Sequence, residues 1–261
     1  MNGRCKRPGI GLFVFLTFSG YAGSVAEDPT TRPAASAPAD WPHPRTDERR
    51  LERERMVEGQ IKARGVRSSS VLDAMRNVPR HWFLPADRQD LTYYDQPVPI
   101  GEDQTISQPY IVALMTEALE VKEGDKVLEV GTGSGYQAAV LAELTPHVYS
   151  IEIVKPLAER AARTFQERGY TTIQTRCGDG YAGWPEAAPF DAIIVTCAAS
   201  RVPSPLVEQL KPGGRMCIPV GESSETQRLL LITRQANGLT TTKNLEFVRF
   251  VPMTGKIDEK R

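Results

Sequence analysis

Val127-Leu-Glu-Val-Gly-Thr-Gly-Ser-Gly-Tyr136 is the stretch that decides the fold of this chain. Its first four residues form a short apolar run bounded by glycine, which is typical of a parallel strand covered on both faces. Three glycines then permit a tight turn in which the backbone can approach a ligand closely. From Tyr136 onward, apolar residues recur every three to four positions, which predicts a helix. Strand, glycine loop and helix together indicate the start of a nucleotide-type βαβ unit.

The spacing of the glycines narrows the choice of ligand. Gly131, Gly133 and Gly135 follow the pattern G-x-G-x-G, whereas dinucleotide-binding loops follow G-x-G-x-x-G. This favours a smaller adenosyl ligand at the N-terminus of the helix. The next predicted strand, His147–Glu152, ends in an acid about twenty residues after the first glycine, where a carboxylate can accept both hydroxyls of a ribose. The alternative for Glu152 is a solvated residue at a strand end.

The order of the predicted elements indicates the fold class. Predicted strands alternate with predicted helices, and two C-terminal runs joined through Asn237-Gly238 indicate antiparallel pairing. We therefore expect a three-layer α/β fold with a mostly parallel central sheet, antiparallel strands at its C-terminal end and helices on both faces. The chain of 261 residues has a formal net charge of zero. No basic block stands out in the folded part, so a nucleic-acid partner is not favoured.

The first 26 residues have the order of a secretory signal peptide. Basic residues precede an apolar run, Ile10–Phe18, and small residues follow up to Ala26. Residues 27–47 are rich in proline, alanine and threonine, which predicts a disordered linker.

The remaining residues, 48–261, are expected to form one domain. Within it, residues 48–120 are predicted to carry N-terminal helices and a substrate loop, and residues 121–261 the cofactor-binding core. The cysteines outside the signal segment are odd in number and lack a C-x-x-C pair, so we expect neither a metal site nor a disulfide framework. Their apolar surroundings predict buried thiols at Cys177, Cys197 and Cys217.

A long irregular stretch is predicted from Pro85 to about Gln108, and loops of that length are usually functional. At its end, Gln104-Thr-Ile-Ser-Gln-Pro109 leads into a helix that carries Pro109 in its first turn. Ser107 then has two compatible interpretations. It is an N-cap worth about 1 kcal/mol, or it supplies a hydroxyl and a backbone N–H where anions bind.

Asp179 also has two interpretations. It lies between glycines in Cys177-Gly-Asp-Gly-Tyr181, directly after the third predicted strand. A carboxylate there can accept a hydrogen bond from an adenine amino group. Asp–Gly is equally a plain turn signal, so the residue alone does not separate the two.

The chain resembles the protein-L-isoaspartate O-methyltransferase family from about Glu52 to Gly255. The glycine loop alone specifies only a class I methyltransferase, whereas the Gln-Thr-Ile-Ser segment is specific to this family. Residues 1–47 depart from the family, because most members lack such an extension. The segments that carry the resemblance are Val78-Pro-Arg, Gln104-Thr-Ile-Ser-Gln-Pro-Tyr, Leu128-Glu-Val-Gly-Thr-Gly-Ser-Gly-Tyr, Gly178-Asp-Gly-Tyr, Pro189-Phe-Asp-Ala-Ile-Ile-Val-Thr, Leu210-Lys-Pro-Gly-Gly and Arg249-Phe-Val-Pro.

The resemblance implies a repair enzyme with the Rossmann-like fold of class I methyltransferases. It would move a methyl group from S-adenosyl-L-methionine to L-isoaspartyl and D-aspartyl carboxylates of damaged proteins. We expect a monomer that binds neither nucleic acid nor, in its mature form, a membrane. The resemblance assigns Ser107 to the active site. The residues that it implies around the cofactor are Thr105, Ile106, Ser107, Glu129, Gly131, Thr132, Gly133, Gly135, Glu152, Asp179 and Gly180.

The chemistry that the resemblance implies requires neither a general base nor a metal ion. A substrate carboxyl group with a pKa of about 3.5–4 is already ionised at pH 7, so methyl transfer needs no general base. A sulfonium carries an activated methyl group, so we expect no metal ion.

Other classes of function are compatible with parts of this sequence. A nicotinamide oxidoreductase would use the same βαβ unit, but the glycine spacing and the lack of a candidate hydride-transfer partner count against it. Another class I methyltransferase, or an inactive module that binds S-adenosylmethionine, remains an alternative. An inactive module is expected to have lost an acid or a glycine, whereas Glu152, Asp179 and the three glycines are all present.

The sequence supports two conflicting predictions of the cellular location. The family resemblance implies the cytoplasm, where the cofactor is made, whereas the signal-like residues 1–26 imply the periplasm. A start codon assigned too early would reconcile the two, since Met56 lies near the beginning of the resemblance. Such a start, however, would cut into the first predicted helix.

Overall fold

The computed structural model of the protein describes residues 41, 44–222 and 225–258. The predicted signal peptide, residues 1–26, and most of the predicted linker, residues 27–47, lie outside these residues. The last part of the linker range, residues 44–47, contacts the folded chain. Arg45 donates a hydrogen bond from Nη1 to Glu143 Oε1 at 3.0 Å, and the Thr46 carbonyl accepts one from the buried Arg53 guanidinium.

The order of strands and helices along the described residues agrees in broad outline with the order that the sequence predicts. The strands are β1 (Val98–Gly101), β2 (Gln104–Ile106), β3 (Lys126–Val130), β4 (His147–Glu152), β5 (Gln174–Cys177), β6 (Phe190–Val195), β7 (Leu210–Val220), β8 (Gln227–Arg234) and β9 (Thr240–Val248). The helices are α1 (Arg50–Met56), α2 (Ser69–Asn77), α3 (Pro109–Leu119), α4 (Tyr136–Ala142), α5 (Lys155–Arg168) and α6 (Ser204–Glu208). The chain after α1 continues through further helical turns to Gly65, which adopts a left-handed conformation with φ of 108°.

Seven strands form one sheet in the order β5-β4-β3-β6-β7-β8-β9. The pairs from β5 to β7 are parallel, and the pairs β7–β8 and β8–β9 are antiparallel. This confirms the predicted fold class. After β3 the chain adds strands on one side of the sheet, and after β5 it crosses back to add β6 on the other side. In such sheets the crevice at the carboxyl ends of the two strands flanking the reversal is the usual ligand site.

The core lies on both faces of this sheet. Successive strand residues point to opposite faces, so a central strand such as β6 contributes to two buried clusters. In β6, Ala192 and Ile194 join a cluster with residues of α1 to α5. Ile193 and Val195 join a second cluster that includes Leu206 of α6.

The stretch predicted as irregular, from residue 85 to about residue 108, contains an antiparallel hairpin of β1 and β2, in which Val98 pairs with Ile106. Gln104–Ile106 is therefore a strand, not the opening of a helix. The turn of this hairpin holds Glu102 and Asp103 at φ values of 54° and 55°. Glutamate is unusual in that conformation, and no Asn-Gly or Asp-Gly pair marks the turn, which is why the sequence did not indicate a hairpin.

Two further predictions are corrected by the structure. Lys211-Pro-Gly-Gly214 predicts the stop of a helix, with a strand starting only at Arg215, whereas the structure places all four residues within β7. The prediction that all three thiols are buried is wrong for Cys177, which is exposed at the end of the edge strand β5. Cys197 is half-buried and Cys217 is buried. An apolar run next to a cysteine does not distinguish the edge of a sheet from its centre.

Candidate active site

The glycine loop between β3 and α4 is fastened to the end of the neighbouring strand β4. The backbone N–H groups of Gly131 and Thr132 both donate to the Ile151 carbonyl, at 2.8 and 3.2 Å. Gly131 has a φ of 97°, and a Cβ atom added to it would lie 2.5 Å from Thr196 Oγ1. A Cβ added to Gly135, whose φ is 92°, would lie 2.7 Å from the Phe165 ring. Space as well as backbone conformation therefore requires glycine at both positions.

Glu152 is buried, and its carboxylate lies against this loop. One oxygen, Oε2, accepts a hydrogen bond from the Gly133 N–H at 2.7 Å, and the other, Oε1, accepts one from the Val154 N–H at 2.9 Å. The interpretation of Glu152 as a solvated strand-end residue is therefore wrong. Each carboxylate oxygen can accept a further hydrogen bond, so the group can bind the loop and a ligand together.

Glu129 is fully buried beneath the loop. Its Oε2 accepts a hydrogen bond from the Ser150 hydroxyl, which lies 2.5 Å from Thr132 Oγ1. Its Oε1 has no hydrogen-bond partner within the described part of the chain. Burial raises the pKa of Glu129 to about 8, so the carboxyl group is largely protonated at neutral pH and has an oxygen free for a ligand.

These groups surround a cleft at the carboxyl ends of β3 and β6, with a volume of about 780 Å³ that includes its open mouth. Two predicted cofactor residues, Gly135 and Asp179, do not line the cleft. The predicted residues that do line it are Thr105, Ile106, Ser107, Glu129, Gly131, Thr132, Gly133, Glu152 and Gly180.

The Asp179 carboxylate binds backbone groups. Its Oδ1 accepts a hydrogen bond from the Tyr181 N–H at 2.9 Å, and its Oδ2 accepts one from the Lys256 N–H at 2.8 Å. Asp179 thereby fastens the C-terminal segment, whose residues Met253 and Thr254 line the cleft. Both oxygens retain acceptor capacity, so an adenine amino group as a further partner stays a prediction.

A second depression, a groove of about 1070 Å³, adjoins the cleft. It is lined by residues from the N-terminal part of the chain, such as Arg64 and Ile111, and by residues 246–251 at the end of β9 and just after it. The residues common to the cleft and the groove are Thr105, Ser107, Thr196 and Val251.

Ser107 is not an N-cap. The N-cap of α3 is Gln108, whose side chain makes no capping hydrogen bond to the helix. The Ser107 side chain is half-buried, and its hydroxyl makes no hydrogen bond within residues 41, 44–222 and 225–258. An accessible, unbonded hydroxyl therefore lies where the cleft and the groove meet.

Sequence reasoning missed Thr196 and the C-terminal residues that line the cleft, Val251–Thr254. Thr196 follows β6, and its hydroxyl donates to the Gly131 carbonyl at 2.5 Å. The end of a strand beside the crossover is a position where the fold class itself predicts a ligand contact. Nothing in the local sequence indicates that residues 251–254 return to the cleft, because Ala198 binds them through backbone hydrogen bonds to Val251 and Met253.

Comparison with known proteins agrees with this architecture. The sequence model of the protein-L-isoaspartate(D-aspartate) O-methyltransferase family matches residues 51–258. The chain belongs to this family. The protein-L-isoaspartate O-methyltransferase of Opitutus terrae is 59% identical over 203 residues, which are 78% of this chain and 87% of that protein. That of Gloeobacter violaceus is 54% identical over 199 residues, which are 76% of this chain and 97% of that protein.

Solved structures of family members have the same fold. One protein-L-isoaspartate O-methyltransferase superposes with a TM-score of 0.72 at 31% identity, covering 78% of this chain and 67% of the other. Another, from Plasmodium falciparum and in complex with S-adenosyl-L-homocysteine, gives a TM-score of 0.68 at 27% identity, covering 78% and 98%. In the part of the chain described here, no helix has the length and apolar character needed to cross a bilayer.

The glycine loop yields a stability prediction. We expect Gly131→Ala to lower the free energy of unfolding by about 1–3 kcal/mol, because alanine is strained at this φ and its methyl group meets Thr196. Gly178→Ala is the matched control, since nothing lies within 4 Å of a Cβ there and its φ is not positive. The control should change stability by less than about 0.5 kcal/mol. Urea unfolding measures both variants, and equal losses would contradict the steric role of Gly131.

Proposed function

We propose that this protein methylates the free carboxylate of L-isoaspartyl and D-aspartyl residues in damaged proteins, and that Ser107 orients that carboxylate. As a member of its family, the protein is a protein-L-isoaspartate O-methyltransferase that uses S-adenosyl-L-methionine. The observation that carries the role of Ser107 is its accessible, unbonded hydroxyl between the cleft and the groove. The methyl donor and the methyl acceptor must lie next to each other for transfer, and the cleft and the groove adjoin at Ser107.

The cleft suits the cofactor in shape and in chemistry. Gly131 lines it without a side chain, and the Glu152 carboxylate has capacity for ribose hydroxyls beside its bonds to Gly133 and Val154. The Oε1 atom of Glu129 adds a buried polar group with no other partner in the described chain. When bound, S-adenosyl-L-methionine supplies an activated methyl group. We propose that it lies against Thr105, Ile106, Ser107, Glu129, Gly131, Thr132, Gly133, Glu152 and Gly180.

The protein's own task in the reaction is to position the substrate. The carboxylate of an isoaspartyl residue is ionised at pH 7 and is already a nucleophile. Positioning can lower a barrier by about 7–11 kcal/mol. Neither His81 nor His147 lines the cleft or the groove, so we propose no histidine base. The Ser107 hydroxyl would donate to one carboxylate oxygen and leave the other free for the methyl group.

The groove is proposed to receive a flexible peptide segment that carries the damaged residue. Its charged lining consists of two arginines and one acid. Arg64 Nη1 donates to Asp95 at 2.8 Å, whereas the exposed Arg249 has no ion pair within the described residues, and Glu246 is the acid. Arg249 is therefore the cation available to an anionic group of the peptide. The methyl ester that forms would collapse to a succinimide without help from the enzyme, and hydrolysis would return some normal aspartate.

We further propose that residues 48–261 form one catalytic domain that acts as a monomer in the cytoplasm. The cytoplasmic address is supported by the need for S-adenosyl-L-methionine, and the periplasmic alternative by the order of residues 1–26. Fractionation of the native host followed by N-terminal sequencing separates the two. A mature chain that starts at Glu27 outside the inner membrane would overturn the cytoplasmic proposal.

The contacts of residues 44–47 predict how much of the extension the domain needs. We expect a chain of residues 44–261 to fold and to methylate an isoaspartyl peptide at the rate of the full chain. A chain of residues 48–261 should also be active, but with a lower melting temperature, because it lacks the Arg45–Glu143 ion pair and the Thr46 carbonyl that Arg53 contacts. An unfolded or inactive 44–261 chain would show that the extension is part of the domain.

For the cofactor, we expect Glu152→Gln to weaken binding of S-adenosyl-L-homocysteine by about 1–3 kcal/mol, since an amide cannot accept on both atoms. Isothermal titration calorimetry measures this directly. Glu159→Gln is the control, because Glu159 is exposed on α5 and pairs only with Lys155 at 3.7 Å. Equal affinity in the two variants would remove Glu152 from the cofactor site.

For Ser107, we expect Ser107→Ala to lower turnover of an isoaspartyl peptide by about 10- to 100-fold, the loss of one hydrogen bond to a charged group. Cofactor affinity and melting temperature should change little, because Ser107 does not cap α3. Ser68→Ala should do the reverse. Ser68 is the N-cap of α2 and accepts from the Val71 N–H at 3.5 Å, so its loss should lower stability by up to about 1 kcal/mol and leave turnover unchanged. Full turnover in Ser107→Ala would refute the proposed role.

A further inference from the structure

Ser107 is placed by its neighbours in the chain. Its hydroxyl has no partner among the described residues, and the strand residue before it, Ile106, is buried in the core. The residue after it, Gln108, is the N-cap of α3, in which Pro109 occupies the first turn and has no N–H to donate. Whatever fixes Gln108 and this first turn therefore also fixes the location of the Ser107 hydroxyl.

Asp95 is the group that fixes them. Its Oδ1 accepts a hydrogen bond from the Tyr110 N–H at 3.0 Å, and its Oδ2 accepts one from Gln108 Nε2 at 2.8 Å. The first bond satisfies an N–H that a helix leaves without an internal partner. Asp95 lies 15 residues before Tyr110 in the sequence, so it supplies from a distance the cap that the neighbours of Pro109 do not.

The same carboxylate reaches the wall of the groove. Oδ2 of Asp95 also accepts a hydrogen bond from Arg64 Nη1 at 2.8 Å, and the Arg64 guanidinium lies 3.6 Å from the centre of the Tyr110 ring. Arg64 and Gln108 both line the groove. One half-buried carboxylate thus connects the helical turn before Gly65, the groove and the segment that carries Ser107.

We propose that Asp95 is a positioning residue for methyl transfer, which fixes Gln108 and the first turn of α3 and thereby aligns the Ser107 hydroxyl with the substrate carboxylate. This rests on the proposed role of Ser107. Asp95 touches neither the cleft nor the groove, so it acts through its neighbours. A carboxylate suits this place because all three of its partners are donors. Asparagine would instead present an N–H₂ group to at least one of them.

A double-mutant cycle tests the proposal on the full chain. We expect Asp95→Asn to lower kcat for an isoaspartyl peptide by about 5- to 20-fold, because small displacements of an orienting group reduce turnover strongly. In a Ser107→Ala background the same substitution should lower kcat by less than about two-fold, because the group that it aligns is gone. The affinity for S-adenosyl-L-homocysteine should stay within a few-fold in every variant. Asp73→Asn is the control, since Asp73 pairs with Arg76 at 2.7 Å on the exposed face of α2 and should leave kcat unchanged.

The outcomes separate the two proposals. An equal loss of kcat from Asp95→Asn in both backgrounds would overturn the role of Asp95 and leave that of Ser107 intact. So would a lower melting temperature with unchanged kcat, the result expected of a cap that only stabilises α3. Full activity of Ser107→Ala alone would overturn both. Should Asp95→Asn fail to fold, Gln108→Leu replaces it in the cycle, because it removes the link beside Ser107 and keeps the bond to the Tyr110 N–H.

Discussion

The hydrogen bond from the Gly133 N–H to the Glu152 carboxylate is the interaction on which the rest of this site depends. It joins the middle of the glycine loop to the end of β4, while the Ile151 carbonyl binds the start of the same loop. A loop whose N–H groups had no such partners would be costly to bury. Because the loop is fixed, α4 starts at a defined place and the cleft has a wall that does not need to form on binding.

The hairpin of β1 and β2 depends on that wall in turn. Its Ile100 side chain would lie 3.7 Å from a Cβ at Gly133, and the Ile100 carbonyl accepts a hydrogen bond from Arg160 of α5. The hairpin is thus held between the loop and α5, and Thr105 to Ser107 follow its turn to the edge of the cleft. A two-stranded hairpin is marginal by itself, so its place next to the loop is set by the core.

Local patterns in the sequence were sufficient to predict those parts of the site in which each residue interacts with residues close to it in the chain. The strand before the glycine loop, the helix after it and the acid at the end of β4 all follow from periodicity and spacing. The hairpin turn could not be predicted, because Glu102 and Asp103 hold positive φ values without a glycine or asparagine. Nor could the partners of Asp95 or the bond from Lys256 to Asp179, which join residues 13 to 77 positions apart in the sequence. Such bonds are decided by tertiary packing, which no local pattern records.

The division between cleft and groove has a consequence for how such a protein can change. The cleft takes most of its lining from residues 129–196, and the groove takes most of its lining from residues 64–111 and 226–251. Only Thr105, Ser107, Thr196 and Val251 serve both. Substitutions at groove residues that do not line the cleft, such as Ile111 and Phe247, can therefore change the shape of the groove and leave the lining of the cleft intact, so that one cleft can be combined with grooves of different shape.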